Sequence, residues 1–134
     1  MEIDITPLER AVTRLAEGLA RWQRHPEDDQ LRDGLIQRFE FSYELAHRLL
    51  RRYLAAISAS PDEITQMPFP DLIRTAGEQG LLLHDWPAWR GYREMRNKTS
   101  HSYDERVAIQ VVDGIPAFLE EAQVLCRRLK QRLG

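Results

Sequence analysis

Two side chains that can move a proton and hold a phosphate lie close together near residue 100. Arg96 and His101 are five positions apart, Asn97 directly follows the arginine, and Tyr103 lies two beyond the histidine. A guanidinium stays charged and offers a planar pair of donors to phosphate oxygens. An imidazole titrates near pH 6.5 and can take or return a proton. These types suit phosphodiester cleavage, with histidine moving protons, arginine stabilising charge on the phosphorane and Asn97 orienting the site.

The spacing of Arg96 and His101 limits how they could meet. Five steps of about 100° place the two side chains roughly 140° apart on an ideal helix, so they do not share one face. We therefore predict that the helix breaks near Ser100, as the stop signals Ser102 and Asp104 favour, or that the second residue comes from another copy of the chain. A two-fold dimer would supply two histidines, one as base and one as acid.

An arginine and a histidine at this spacing are, by themselves, a weak pattern. The alternative is that the arginine pairs with a carboxylate and the histidine caps a helix end. Other histidine and tyrosine candidates are weaker still. His25 and His84 fall in predicted loops, while His47 and Tyr43 lie on a long helix, and for each of them a structural role is favoured.

The elements in the first half of the chain are predicted to be two long helices. Apolar residues recur at steps of three and four up to about Arg24 and again from Asp29 to Ile57, where Phe41 and Leu50 widen the stripe. Thr6-Pro7-Leu8-Glu9 has the order of a capping box, in which a hydroxyl and a glutamate satisfy backbone donors of the first turn. The second helix, at 29 residues, would be roughly 40 Å long, the scale of a helical bundle.

Shorter helices are predicted in the second half. One runs from Pro70 to about Gln79 and is closed by Gly80, another starts at Asp85-Trp86-Pro87, and Ser102 or Asp104 caps the last. Three prolines make 61–70 the least predictable segment. Since no convincing strand periodicity occurs, we predict an all-α, antiparallel up-and-down bundle of four to five helices.

Composition describes one domain spanning 1–134, with 43% hydrophobic and 30% charged residues. The net charge of −2 argues against coating nucleic acid through bulk charge, so RNA contacts would need a local cluster. Cys126 has no disulfide partner, the acidic start of the sequence lacks the basic-then-apolar order expected of a signal peptide, and no apolar run approaches the length of a membrane span. We expect a cytoplasmic protein without membrane contact. Two basic clusters, each of which could also be a solvated helix face, are Arg48, Arg51 and Arg52, and Arg90, Arg93, Arg96 and Lys98.

Three ordered blocks carry a resemblance to a known family. The segment 96–103 reads R-x4-H-x-Y, 38–46 carries a phenylalanine–glutamate signature, and six residues lead into the motif: Arg74, Ala76, Gly80, Leu81, Asp85 and Trp89. Over about residues 5–130 the chain resembles the HEPN superfamily, specifically its nucleotidyltransferase substrate-binding branch, the HepT-like half of HEPN/MNT toxin–antitoxin pairs. One departure is His47-Arg48, where the family usually has tryptophan and a basic residue.

The resemblance implies a metal-independent ribonuclease toxin that acts as a homodimer and needs no cofactor of its own. Arg96 and His101 would be catalytic and Asn97 supporting. The partner would be a separate minimal nucleotidyltransferase antitoxin, which uses ATP to transfer AMP onto the motif tyrosine, here Tyr103. A bulky, negatively charged adduct two residues from His101 would repel RNA phosphates and block the cleft.

Two other functions stay open at this point. The chain could be a non-catalytic subunit that binds a nucleotide or substrate and presents it to the transferase, with Arg96 and His101 only holding phosphate. It could also be a plain structural bundle whose motif is surface decoration. Because binding and cutting phosphate require the same residue types, the sequence does not separate the first of these from the ribonuclease.

Overall fold

Six α-helices follow one another along residues 2–134, the part of the chain that the computed structural model describes. No strand occurs within this part, which confirms the all-α prediction. The number of helices exceeds the predicted four to five by one. The additional helix is the short α3, which lies in the least predictable segment, 61–70. The helices are α1 Thr6–Arg24, α2 Asp29–Ile57, α3 Pro61–Thr65, α4 Phe69–Glu78, α5 Trp86–Lys98 and α6 Glu105–Leu133, with a 3₁₀ turn, Thr99–His101, between α5 and α6.

The four longest helices alternate in direction, as in an up-and-down bundle. On α2, Arg38 donates to the carbonyl of Arg14 and Ser42, one turn later, to that of Ala11, so α1 and α2 are antiparallel. Tyr92 of α5 bonds Glu121 of α6, and Lys98, further along α5, bonds Gln110, which comes earlier on α6. Helices α5 and α6 are therefore antiparallel too. None of the helices within residues 2–134 is both long and apolar enough to cross a membrane.

The start of α1 differs from its prediction. Ile5, and not Thr6, is the residue before the helix, and no side chain there bonds the first turn as a capping box would. Instead the Thr6 amide donates to Asp4 Oδ1 at 2.9 Å. Since Asp4 supplies the acceptor from outside the helix, Thr6 enters the first turn and its hydroxyl is not needed as a cap.

The core is built around a cluster of aromatic rings that fixes α5 against α2 and α6. Phe118 of α6 packs edge-on against Phe39 of α2, with ring centroids 5.0 Å apart, and against Tyr92 of α5 at 5.3 Å. Trp89 is fully buried beside them. Phe41 was predicted to widen the apolar stripe, but its side chain is 55% exposed. Two helical steps from Phe39 are about 200°, which turns Phe41 towards solvent.

Gly114 of α6 makes room for a side chain of α5. A Cβ on Gly114 would come within 2.5 Å of Met95 Sδ, so a larger residue there would make the flexible Met95 side chain move. Met95 directly precedes Arg96. The glycine therefore accommodates the side chain next to the motif arginine.

The loop that leads into α5 is held by a fully buried carboxylate. Glu121 on α6 accepts from the Leu83 amide at 2.7 Å, from the His84 amide at 3.2 Å and from the Tyr92 hydroxyl at 3.3 Å. Its neighbour Glu120 is exposed. The loop and α5 therefore share one anchor on α6.

Glu121→Ala is expected to lower the free energy of unfolding by about 2–4 kcal/mol, because amide and hydroxyl donors inside the fold would lose their acceptor and a cavity would form. Urea denaturation followed by circular dichroism measures this. Glu120→Ala, the matched surface variant, should stay within about 0.5 kcal/mol of the parent. If Glu121→Ala lowered the free energy of unfolding as little as Glu120→Ala is expected to, the buried carboxylate would contribute nothing to stability.

Candidate functional site

The predicted break near Ser100 is present. Helix α5 ends at Lys98, the chain continues as the 3₁₀ turn Thr99–His101, and α6 begins at Glu105. Asp104 caps α6 by accepting from the Arg106 amide at 2.9 Å, which confirms one of the two predicted cap residues. The motif therefore spans the junction of the last two long helices and does not lie on one helix face.

Arg96 is held in one orientation by two partners. Its Nε donates to Glu44 Oε1 of α2 at 2.8 Å, and its Nη1 donates to Thr99 Oγ1 at 3.3 Å. Thr99 is itself buried and its hydroxyl donates to the Arg96 carbonyl at 2.7 Å. The arginine side chain stays 32% exposed, and Nη2 has no protein partner within residues 2–134. Nε and Nη1 are thus held within the fold, and the side of the guanidinium that carries Nη2, its open edge, is available to a ligand.

His101 and Tyr103 lie beside each other on the surface. Their ring centroids are 6.2 Å apart with the planes tilted by 64°, and Tyr103 is 86% exposed. Asn97 is also exposed. In the described part of the chain, the side chains of these three residues make no hydrogen bond. An imidazole and a phenol are therefore accessible together to a substrate or a partner protein.

A single chain does not join the two predicted catalytic groups by a direct contact. Among residues 2–134 no hydrogen bond links Arg96 to His101, and none links the Asn97 side chain to either of them. The structure brings His101 and Tyr103 together and couples Arg96 to Glu44. The prediction that guanidinium and imidazole converge therefore depends on a bound substrate or on a second copy of the chain.

The sequence did not predict two residues that bond Arg96, namely Glu44 and Thr99. Glu44 belongs to the phenylalanine–glutamate signature, but nothing in the sequence assigned it a partner 52 positions away. Thr99 lies inside the motif, where its buried hydroxyl bridges the guanidinium and the end of α5. The alternative that Arg96 pairs with a carboxylate is thus correct as a contact, yet this contact leaves the outer edge of the arginine open.

The other candidate residues have structural surroundings. Tyr43 is buried among aromatic rings, and burial raises the pKa of its phenol to about 12. Burial likewise raises the pKa of the Cys126 thiol to about 11, so the sulfur is protonated and a poor nucleophile at neutral pH. Within residues 2–134 no group of three or more His, Cys, Asp or Glu side chains is placed to hold a metal ion.

The two basic clusters differ in how far their charges are engaged. In the second cluster Arg90 pairs with Glu94 at 3.3 Å, and the Arg93 guanidinium lies 5.5 Å from the centre of the Phe69 ring. In the first, Arg48 and Arg52 are exposed and make no hydrogen bond or ion pair within residues 2–134, so their charges face solvent.

An up-and-down helical bundle with an arginine–histidine–tyrosine motif at the junction of its last two long helices is the arrangement implied by the resemblance to HEPN proteins. The family model described as "Nucleotidyltransferase substrate binding protein like" matches residues 3–131. The chain belongs to this family.

Two relatives are similar over most of the chain, and both come from Haemophilus influenzae. One, named "Probable ribonuclease HepT", is 41% identical over 104 residues, which cover 78% of this chain and 70% of the relative. The other is a solved structure, described as revealing the fold of a substrate binding domain of a nucleotidyltransferase. It is 32% identical, has a TM-score of 0.90, and the match covers 95% of this chain and 99% of that one.

Proposed function

We propose that this chain is a metal-independent endoribonuclease of the HepT type, with Arg96 and His101 as its catalytic residues and Asn97 in support. The observation that carries the proposal is the guanidinium of Arg96, whose Nε is held by Glu44 and whose Nη2 is available to a ligand, at the same helix junction as an exposed imidazole. The name of the 41% identical relative, a probable ribonuclease, supports the same chemistry.

The proposed reaction is an internal transesterification followed by release. His101 takes the proton from a ribose 2′-hydroxyl, and the 2′-oxygen attacks the adjacent phosphorus. The bond from phosphorus to the 5′-oxygen breaks, and a second imidazole gives that oxygen a proton. Arg96 binds the equatorial oxygens, where its open edge stabilises the charge that develops in the transition state. The products are a 2′,3′-cyclic phosphate and a 5′-hydroxyl.

This mechanism uses two copies of the chain. One imidazole cannot act as base and as acid in the same step, and each chain holds one His101. A homodimer with two-fold symmetry that pairs the α5–α6 junctions supplies both groups and places the Arg96 of each copy at a shared cleft. In such a shared site the Arg96 and His101 of one copy need no direct contact with each other, and within residues 2–134 they make none.

The proposal is tested by incubating the purified chain with single-stranded RNA in the presence of EDTA. We expect fragments that end in a 2′,3′-cyclic phosphate, detected by mass spectrometry. Intact RNA under all conditions, or cleavage that EDTA abolishes, would contradict a metal-independent ribonuclease. Analytical ultracentrifugation of the same sample tests the dimer.

The partner in this proposal is a separate minimal nucleotidyltransferase, acting as antitoxin in the cytoplasm. Its reaction would join Tyr103 to AMP: the phenol oxygen attacks the α-phosphorus of ATP, pyrophosphate leaves, and the phenol proton is lost to solvent. An exposed phenol 6.2 Å from the His101 ring supports this assignment, since the phosphate of an adduct would lie against the imidazole and repel RNA.

Tyr103→Phe is expected to keep ribonuclease activity and to escape modification. The phenylalanine lacks the oxygen that accepts AMP, and the side chain is too exposed for its loss to unfold the chain. Intact-mass measurement after incubation with partner and ATP gives the result. Addition of AMP units to the variant at the wild-type level would show that Tyr103 is not the acceptor.

A non-catalytic binding subunit is the second candidate, favoured by the descriptions of the family model and of the solved structure. In that case the open edge of Arg96 would hold a phosphate of the transferase's substrate without breaking a bond. The two candidates differ in one result: a binding subunit retains phosphate-ligand affinity while no RNA is cut.

A further inference from the structure

A cleft of about 870 Å³ runs along α2, between this helix, α3 and the N-terminal segment. We call it the α2 cleft. Its lining combines His47 and the first basic cluster with small and aliphatic side chains. The basic part consists of His47, Arg48, Arg51 and Arg52, and the apolar part includes Ile3 and Ala55, which lies one turn beyond Arg51 on α2.

One arginine of the cleft is fixed by the fold. Arg51 Nη1 donates to the carbonyl of Ile64 at 2.9 Å and to that of Met67 at 2.7 Å, which ties the α3 segment to α2 and forms the far wall. Its Nη2 lies 3.1 Å from His47 Nε2. Because a guanidinium only donates, Nε2 is the acceptor and the imidazole proton is on Nδ1. Burial and Arg51 lower the pKa of His47, which keeps this ring neutral at pH 7.

The charge of the cleft is positive although the chain as a whole is slightly acidic. The carboxylates at its edge are Glu2 and Glu44, and Glu44 is already paired with Arg96 at 2.8 Å. The charges of Arg48 and Arg52 face solvent. The cleft therefore carries three guanidinium groups but only one carboxylate, that of Glu2, without a cationic partner within residues 2–134. This local surplus of positive charge suits an anionic ligand.

The cleft is continuous with the motif through Glu44. This residue lines the cleft and also holds Arg96. Glu44, Arg48 and Arg52 are successive members of one stripe at four-residue steps, so each lies about 6 Å further along α2. A ligand that touches Arg96 can thus continue for about 12 Å past Arg48 and Arg52.

We propose that the α2 cleft binds single-stranded RNA next to the linkage at Arg96, with Arg48 and Arg52 on phosphates and a base against the apolar side chains of Ala55 and Ile3. The RNA in this proposal rests on the proposed function. A cleft lined by both basic and apolar side chains matches a nucleotide, which has an anionic backbone and a flat base. Its volume of about 870 Å³ suits a few nucleotides of a single strand.

The test measures binding separately from cleavage. A labelled single-stranded RNA is titrated against full-length protein carrying His101→Ala, which prevents turnover, and anisotropy is followed at several salt concentrations. Arg48→Gln/Arg52→Gln is compared with Arg10→Gln/Arg14→Gln, an exposed pair one turn apart on α1 that changes the charge equally. Circular dichroism checks that both variants are folded.

We expect the cleft variant to bind RNA about 10- to 100-fold more weakly and the slope of log K against log salt to fall by about 1.4, two contacts at about 0.7 each. The α1 variant should stay within about twofold of the parent. Unchanged affinity and slope in the cleft variant would overturn the proposal, as would equal losses in both variants. Weaker binding of ATP with unchanged RNA binding would also overturn it, because the cleft would then serve a free nucleotide.

The binding and cleavage assays distinguish a wrong cleft proposal from a wrong ribonuclease proposal. If RNA is cut with unchanged KM in the cleft variant, the cleft proposal is wrong and the ribonuclease stands. If RNA binds through Arg48 and Arg52 but the chain with His101 intact cuts nothing, the cleft stands and the proposed function is wrong.

Discussion

His101→Ala is expected to reduce the rate of RNA cleavage by about 100- to 10,000-fold, the range typical of a lost general acid or base. In the proposed dimer the substitution removes both proton-transfer groups at once, so the effect should lie towards the upper end. His101 is exposed and its side chain makes no hydrogen bond within residues 2–134, so the loss should leave stability almost unchanged. Single-turnover cleavage of labelled RNA measures the rate, and thermal unfolding checks the fold.

The matched control is His25→Ala. His25 is also exposed and lies in the loop between α1 and α2, outside the motif. Cys126→Ala is a second control, because its protonated thiol has no role in the proposed reaction. Both should cleave at the parental rate. If His101→Ala cleaves as fast as His25→Ala, the imidazole does not move protons in the reaction and the binding-subunit alternative becomes the better explanation.

The long helices were predictable because their signals are local. Asp29 and Ile57 bound α2 as predicted, where Asp28 accepts from the Gln30 and Leu31 amides and an apolar stripe runs to the end. Gly80 likewise follows α4, with a φ of +72° that few other residues adopt. Capping types and periodicity act within a few residues, so the sequence alone states them.

The elements that were missed depend on contacts far away along the chain. Helix α3 is five residues long and is anchored by Arg51, which bonds its last turn from α2. The start of α1 uses Asp4 where a hydroxyl cap was predicted. A short helix gains little from its own hydrogen bonds, so tertiary contacts of this kind decide whether it forms.

The features of the candidate site also divide into those set by local sequence signals and those set by contacts between distant residues. The break at residues 99–101 followed from the 140° argument and from the cap residue Asp104, and it is present. The partnership of Arg96 with Glu44 joins residues 52 positions apart, a separation at which a single sequence carries no pairing signal. Helix geometry left open whether Arg96 meets the His101 of its own chain or of a second copy, and the proposed mechanism uses the second copy.

Arg96→Lys is expected to lower kcat for RNA cleavage by about 100- to 1,000-fold, the effect of losing a charge-stabilising donor. The substitution keeps the positive charge, but an ammonium is a point donor. It cannot hold Glu44 through one nitrogen and present another to the phosphorane. Arg90→Lys is the matched control on the same helix, since Arg90 is exposed and, within residues 2–134, pairs with Glu94 alone. Parental turnover in Arg96→Lys would contradict this double role.

Glu44→Gln tests whether Glu44 acts through the arginine. The amide keeps the shape and one acceptor but loses the charge that orients Nε at 2.8 Å, so kcat should fall about 10-fold, while the loss of a carboxylate from the lining of the α2 cleft should not weaken RNA binding. Combined with Arg96→Lys, the loss should be clearly smaller than the product of the two single losses, because both changes disturb one contact. Independent, multiplying losses would show that Glu44 does not position Arg96. A carboxylate that only stabilised the fold would shift the unfolding temperature and leave this coupling at zero.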